Sequence, residues 1–560
     1  MEKTKTKNLF FLSVLFLIGC VSSPTISSET SSSVPKESVS SSENSDTDSL
    51  SSSESSLLSS FEEDSSSEEI SSSSEEASSS SESSSEEVSS DEPFEEETFH
   101  FYCVNDFHGA VLEQYNGSYY EAGIAKYFGH LKELKEEDPE HTIILSAGDM
   151  YQGSLESNDN YGALVTEAMN AVPFDAMTIG NHEFDYGQQR LLDNVDRANF
   201  PMLGGNIVKF NEGTTTRPWS EKIGKSTIVS RSSYKIGIVG MIGEGQTTSI
   251  TSKYVQDVDF APIVSSSRTE ALRLRQEEGC SMVILVVHDE YSEVSFAADK
   301  RYFDGVFCAH THQNEDYLVS GVPFVQGICN GEAYSSFDIT VTKDGPVCTS
   351  HGVNKSKASW NEDSEIASIR DSYILEPSFV TKSQSVAGTL SGTLTKNEGI
   401  PNIAAKAIYE KYVTLYPDLC CAMINSQRAN LYSGEVTYSS LFKAMPFFND
   451  ISIARVKGSD ILSEASYGMS TYTGDLDTYG SLNPNSFYTI ACIDYVLYHQ
   501  NTTKRYNYFY SLNKGNGGSI IQDHEDYPFD ITFNYMKDDL SGVIYAADFL
   551  DSSSGFNAYA

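Results

Sequence analysis

The chain of 560 residues carries 80 acidic against 37 basic side chains, a formal charge of −43. That length exceeds one ordinary domain, and so acidic a chain lacks the Lys/Arg surface on which sequence-independent nucleic-acid binding rests. No nucleic-acid-binding surface is expected.

The charge is unevenly spread along the chain. Residues 1–20 read MEKTKTKNLFFLSVLFLIGC: Lys3, Lys5 and Lys7 form a positive start, and Leu9 to Ile18 form an apolar run too short to span a bilayer comfortably. The run ends in Leu17-Ile18-Gly19-Cys20, which resembles the lipobox of bacterial lipoproteins. That resemblance implies a lipid on Cys20 and a mature protein held on the cell membrane, facing outside the cytoplasm. An ordinary signal peptide or an uncleaved anchor is the alternative. Residues 21–98 follow with 36 serines, 21 Asp/Glu and one lysine, a net of −20. Such a segment has too little apolar surface to offset the entropy of ordering its backbone, so it reads as a disordered, self-repelling tether.

From Phe99 onward apolar runs alternate with charged helical segments, which predicts α/β architecture. Eight cysteines lie in this part: Cys103, Cys280, Cys308, Cys329, Cys348, Cys420, Cys421 and Cys492. Several sit inside apolar runs, with neither zinc-cluster nor disulfide-framework spacing, and are expected to be mostly free thiols.

Five predicted strands stop at residues able to bind a metal. FHFYCVND ends at Asp106, followed by Phe107-His108; HTIILSAGD ends at Asp149; DAMTIGNHE ends at Asn181-His182; SMVILVVHDE reaches His288; DGVFCAHTH ends at His310-Thr311-His312. Each has a bland reading as well. Asp106 and Asp149 suit turns, Asn181 suits a helix N-cap, and His288 after an apolar run could be a core histidine. Their convergence on the carboxyl edge of a sheet, where ligand chemistry gathers in α/β folds, favours a site. Carboxylate, imidazole and amide donors suit zinc, manganese or similar divalent ions, and two such ions would clamp the attacking and leaving oxygens of a phosphoryl displacement.

The segments NDFHGA (105–110), GDMYQGS (148–154), GNHEFDYG (180–187), VVHDE (286–290) and AHTH (309–312) resemble the five ordered motifs of the calcineurin-like metallophosphoesterases. More narrowly they resemble the bacterial 5′-nucleotidase group, which includes UDP-sugar hydrolases and 2′,3′-cyclic-nucleotide phosphodiesterases. The resemblance implies a four-layer sandwich, helices flanking two mixed sheets, over 99–345. A connecting segment over 346–378 and a second α/β domain, the nucleoside-binding 5′-nucleotidase C-terminal domain, over 379–560 would follow. It also implies two divalent ions. One would be held by Asp106, His108, Asp149 and His312, the other by Asp149, Asn181, His288 and His310, with Asp149 as the bridge. His182 and Asp185 match the catalytic pair: a protonated His182 would stabilise charge growing on the phosphoryl group and assist the leaving oxygen. Ala309 stands where the family usually has glycine.

In the second half PNIAAKAIYEKYV (401–413) has helical spacing, and DLCCAMINSQRANL (418–431) reads as a strand and turn. Here the resemblance implies that Arg428 contacts phosphate and that Phe447 and Tyr495 clamp the base. Arg428 could equally form a surface salt bridge, and Phe447 could be core. The family's glycine pair before this arginine is missing, Lys406 replaces an acidic residue, and HQNTTKRYNYFY (499–510) replaces a Gly-Gly-Asp-Gly run. The expected activity is release of nucleoside and phosphate from a small phosphorylated substrate, a nucleotide. A cyclic-nucleotide phosphodiesterase/3′-nucleotidase or nucleotide-sugar hydrolase is the enzymatic alternative. An adhesin keeping the fold is the non-enzymatic one, and the intact ligand set argues against it. Oligomeric state is open.

Overall fold

The computed structural model describes residues 94–550, apart from 116–118, 210–216, 475–479, 499–508 and 514. The amino-terminal run with Cys20 and nearly all of the Ser/Glu segment lie outside the described residues. The first strand, Glu97–Val104, alternates buried Phe99, Phe101 and Cys103 with half-exposed His100 and Tyr102, the period of a pleated strand with two unequal faces. It pairs in parallel with Thr142–Ser146, which leads on through Ala176–Thr178 to Met202–Leu203. On its other side it pairs antiparallel with Ala333–Thr342, whose far neighbour is Gly345–Lys355. The second six-stranded sheet runs in the order Glu315–Val319, Val322–Gln326, Gly305–Phe307, Met282–His288, Tyr234–Ile242, Ser226–Arg231. Its four middle strands are parallel and its two edges antiparallel.

The two mixed sheets face each other across a core that includes Phe99, Phe101, Leu145, Ile238, Ile284, Phe307 and Phe337. Outside the first sheet pack Phe128, Leu131 and Leu164 from the helices Ile124–Glu137 and Ala163–Ala171; outside the second pack Ala271 and Leu274 from the helix Ile263–Gln276. This is the four-layer sandwich expected. Phe337 is the seal between the sheets, stacked on Phe307 with centroids 4.5 Å apart and on Phe101 at 5.2 Å. A Cβ at Gly305 would enter the Phe337 ring, which explains a glycine at the start of an otherwise apolar strand.

Backbone pairing of the first sheet continues through Gly345–Lys355, into the segment expected to connect the domains. Two helices follow, Ser364–Ile374 and Pro377–Ser383; Asp363 caps the first and Glu376 the second by accepting from backbone N–H groups. The second domain is built on a five-stranded sheet ordered Ser470–Tyr472, Leu419–Ile424, Phe487–Ile493, Ile451–Lys457, Ser519–His524. A three-stranded sheet of Gly434–Thr437, Val386–Ser391 and Val543–Tyr545 accompanies it. The helix Gly399–Val413 covers the expected helical run and buries Ile400, Ile403, Ala407 and Ile408. No disulfide joins the eight described cysteines. Among the described residues no helix is long and apolar enough to cross a membrane.

Truncating the inter-sheet seal, Phe337→Ala, is expected to cost about 3–5 kcal/mol of stability. Denaturant unfolding measures it, and a loss below about 1 kcal/mol would mean that other contacts hold the sheets together.

Candidate active site

The parallel strands all point their carboxyl ends to one edge of the sandwich, and the loops there are zipped to one another. Asp106 N–H donates to Gly148 O (3.0 Å), His108 N–H to Asp149 O (3.0 Å) and Gly109 N–H to Met150 O (2.9 Å), so the pairing of two strands continues past their ends. Within this edge Asp106, His108, Asp149, His310 and His312 all have φ between 48° and 76°. Left-handed backbone at non-glycine residues is costly and persists where surrounding structure imposes it, and functional sites are where it gathers.

Two groups of donors converge. Asp106, His108 and His312 form one, and Asp149, His288 and His310 the other; within each, the ligand atoms lie within 4.8 Å of one another. The amide oxygen of Asn181 joins the second, 3.0 Å from His288 Nε2 and 3.1 Å from His310 Nδ1. The arrangement fits cations on several counts. Asp106 spends Oδ2 on Asn105 Nδ2 (2.7 Å) and the His310 N–H (3.0 Å), while its buried Oδ1 has no hydrogen-bond partner and lies 3.4 Å from His312 Nε2. Asp149 divides its oxygens the same way: Oδ1 accepts from the His182 N–H (2.8 Å), and Oδ2 faces His288 Nε2 at 3.1 Å. His108 and His288 each turn Nδ1 to a backbone carbonyl, Gln152 O and Ala147 O, both at 2.8 Å, which aims Nε2 into the cluster.

The electrostatics agree. Burial, followed by the charges of His312 and Arg428, holds His108 well below the ordinary imidazole range, so it presents a neutral lone pair. Burial and then His288 hold His310 down to about 4. Burial works against ionised Asp106, yet His312 outweighs it and brings the carboxyl to about 2. Burial also opposes charge on His288, but Asp149 prevails and raises it to about 10. Asp149 therefore demands positive charge at that nitrogen, whether a proton or a metal ion.

His182 opens the short helix His182–Phe184 with its ring centroid 5.2 Å from that of His108, and its Nδ1 lies 2.7 Å from Asp185 Oδ2. Burial disfavours its charge, but Asp185 and then Asp149 more than compensate, so its pKa rises. Three supporting residues escape sequence reading although each lies inside a quoted motif. Asn105 ties Asp106 to the carbonyls of Gly327 (3.1 Å) and Ile328 (2.9 Å). The carboxylate of Glu183 accepts from the N–H groups of Asp149 (2.9 Å), Met150 (2.7 Å) and Gly180 (2.7 Å). Gln152 holds His108 through its carbonyl, as above.

The second domain contributes at this edge. Arg428 Nη2 donates to Gln152 Oε1 (3.0 Å), its guanidinium lies 5.2 Å from the Phe447 ring centroid, and it is within electrostatic reach of Asp185 and Asp149. Arg428 and Phe447 are thus brought to the metal-ligand cluster, and Arg428 makes no surface salt bridge among its described contacts. Tyr495 lies in the first turn of the helix Asp494–Leu497, half-buried against the second domain's core. Its neighbour Asp494 instead meets Lys253 of the first domain at 2.7 Å, and Asp450 contacts the same ammonium. Ala309 is fully buried and its N–H donates to Asp289 O (3.1 Å), so the small residue in place of glycine fits. The 499–508 part of the divergent segment lies outside the described residues.

Comparison with known proteins places this geometry. Residues 99–314 match the family model "Calcineurin-like phosphoesterase", and residues 380–464 match "5′-nucleotidase, C-terminal domain". The chain is 32% identical over 234 residues to an apyrase of Tabanus yao, covering 40% of each chain, and 27% identical over 184 residues to a 5′-nucleotidase of Vibrio cholerae, covering 33% of this chain and 32% of that one. The chain thus spans two fifths or less of the length of these curated relatives. A 5′-nucleotidase precursor from Thermus thermophilus has the same fold, with a TM-score of 0.66 at 17% identity over 80% of this chain and 97% of that one. With the five motifs gathered at one edge of the sandwich, the chain carries a calcineurin-like phosphoesterase domain followed by a 5′-nucleotidase C-terminal domain.

Proposed function

We propose that the chain is a two-metal phosphohydrolase acting as a 5′-nucleotidase outside the cytoplasm, anchored to the cell membrane through a lipid on Cys20. The observation that carries the catalytic reading is the meeting of parts from both domains: Arg428 and Phe447 stand at the edge where the two ligand groups and the His182–Asp185 pair converge. Zinc, manganese or similar ions, held by Asp106, His108 and His312 and by Asp149, Asn181, His288 and His310, would polarise a phosphoryl oxygen and acidify a water, with Asp149 shared between them. Arg428 offers a planar fork of donors to the phosphoryl oxygens. Phe447, on whose face the guanidinium rests, gives a nucleobase or sugar an apolar wall; Tyr495 is the candidate for a second one. Asp185 accepts the hydrogen bond of His182 Nδ1 and favours the charged ring, which leaves Nε2 to donate to the oxygen that leaves. The lipid anchor rests on the sequence of residues 1–20 alone.

Purified residues 99–560 are expected to release phosphate from AMP, to lose that activity with chelator and to regain it with Mn²⁺ or Zn²⁺. A panel of 5′-, 3′- and 2′,3′-cyclic nucleotides with a nucleotide sugar decides between the enzymatic readings, and binding without turnover under replete metal would leave only a binding protein. His182→Ala should lower turnover by about 10²-fold or more while metal content, measured by atomic emission, stays intact. Glu183→Ala strips three backbone donors of their acceptor around Asp149, and metal affinity is expected to fall about 10–100-fold. Unchanged affinity in a metal titration would show that the loop holds its shape without the carboxylate.

A further inference from the structure

Gln152 is fully buried, and its polar atoms are spent in three directions. Its backbone carbonyl accepts from His108 Nδ1 at 2.8 Å, its Oε1 accepts from Arg428 Nη2 at 3.0 Å, and its Nε2 donates to Pro446 O at 2.8 Å. Asn158, on the same loop's following helix, donates its Nδ2 to the same carbonyl at 3.2 Å. One first-domain residue therefore touches a metal-ligand candidate, the guanidinium that would meet phosphate, and the carbonyl immediately before Phe447.

We propose that Gln152 is a positioning residue that sets the Arg428 fork against the metal centre and couples anion binding to the docking of the second domain. The inference rests on the functional reading in one respect, that Arg428 holds phosphoryl oxygens. A guanidinium on a long stem has many rotamers, and an acceptor fixed to the metal-binding loop selects one of them. The bond to Gln152 uses only Nη2, so the guanidinium keeps further N–H donors for a ligand. The amide is the group the geometry requires. A glutamate in its place has no donor for the Pro446 carbonyl, and a lysine has no acceptor for the guanidinium. Because the same residue's carbonyl orients His108, the arginine and the first ligand group are referred to one loop, and their separation does not depend on how each domain packs internally.

A double-mutant cycle on the manganese-loaded chain tests this, with inorganic phosphate as the probe and its dissociation constant read by calorimetry. Gln152→Ala should weaken phosphate about tenfold when Arg428 is present and less than about twofold in the Arg428→Ala background. Metal content should be unchanged, since the His108 contact is to the backbone of residue 152. Gln152→Met, close to glutamine in size, separates packing from hydrogen bonding: it should behave as the alanine variant does, and it carries the cycle if that variant fails to fold. Equal losses in both backgrounds, wild-type binding by the methionine variant, loss of metal, or no phosphate binding by the parent would each overturn the proposal. A parent that hydrolyses nucleotides but shows additive losses ends this inference and leaves the functional reading standing. A parent that shows the coupling but turns over no ester does the reverse.

Discussion

Negative and lone-pair-bearing atoms face one another at the sheet edge, and the remainder of the first domain exists to hold them there. Left to themselves, Asp106, Asp149 and the surrounding imidazoles would turn to solvent or to separate donors. Instead, Asp106 Oδ1 is buried without a partner and the histidines aim their ring nitrogens at carboxylate and amide oxygens. Such crowding is unfavourable in a low-dielectric interior unless a positive charge sits among the acceptors. The other features of the edge are responses to this constraint. The left-handed backbone at five ligand positions, the zipped loops, and the carbonyls that fix two imidazoles all serve to keep like next to like.

The second layer of the site works through backbone groups. Glu183 gathers three N–H donors and Asn105 bonds the Gly327 and Ile328 carbonyls, and neither needs to touch a substrate to matter. Burial and then the nearby Asp149 push Glu183 up to about 7, which reflects how close one acidic group has been placed to another. The stabilisation comes from the donors, and the like charge is tolerated because those donors are rigidly presented. Across the domain boundary the same sharing of partners holds: Gln152 and Asn158 both donate to the Pro446 carbonyl, and Lys253 is shared by Asp450 and Asp494.

How far all this can be read from the sequence depends on how local each feature is. The seven metal-ligand candidates are legible because each lies at or just past the end of a strand whose apolar run marks it, and the strands' parallel order brings those ends together. His182 and Asp185 are legible because three residues of tight helix place them side by side. Gly345–Lys355 reads as connector because an edge strand, half exposed along its length, has the composition of a loop. Arg428 stands out by its chemistry, but its partner Gln152 lies 276 residues away, and no local pattern announces a bond of that reach. Tyr495 is assigned by likeness of position, in the stretch where the sequence departs most from the family pattern. There the backbone carries Asp494 to Lys253 and lays the ring against the core.

Phe307 and His310 belong to one strand and its exit, the first inside the inter-sheet stack and the second in the ligand cluster. Val286 and His288 stand in the same relation one strand over, as do Leu145 and Asp149 in the facing sheet. Stability of the fold and grip on the cation are therefore not two traits that selection can tune apart. A substitution that loosens the core also shifts a ligand candidate, and an ion bound among those candidates would brace the core. For this architecture metal content is a measure of folding quality, and mutational drift in the hydrophobic interior is screened by catalysis itself.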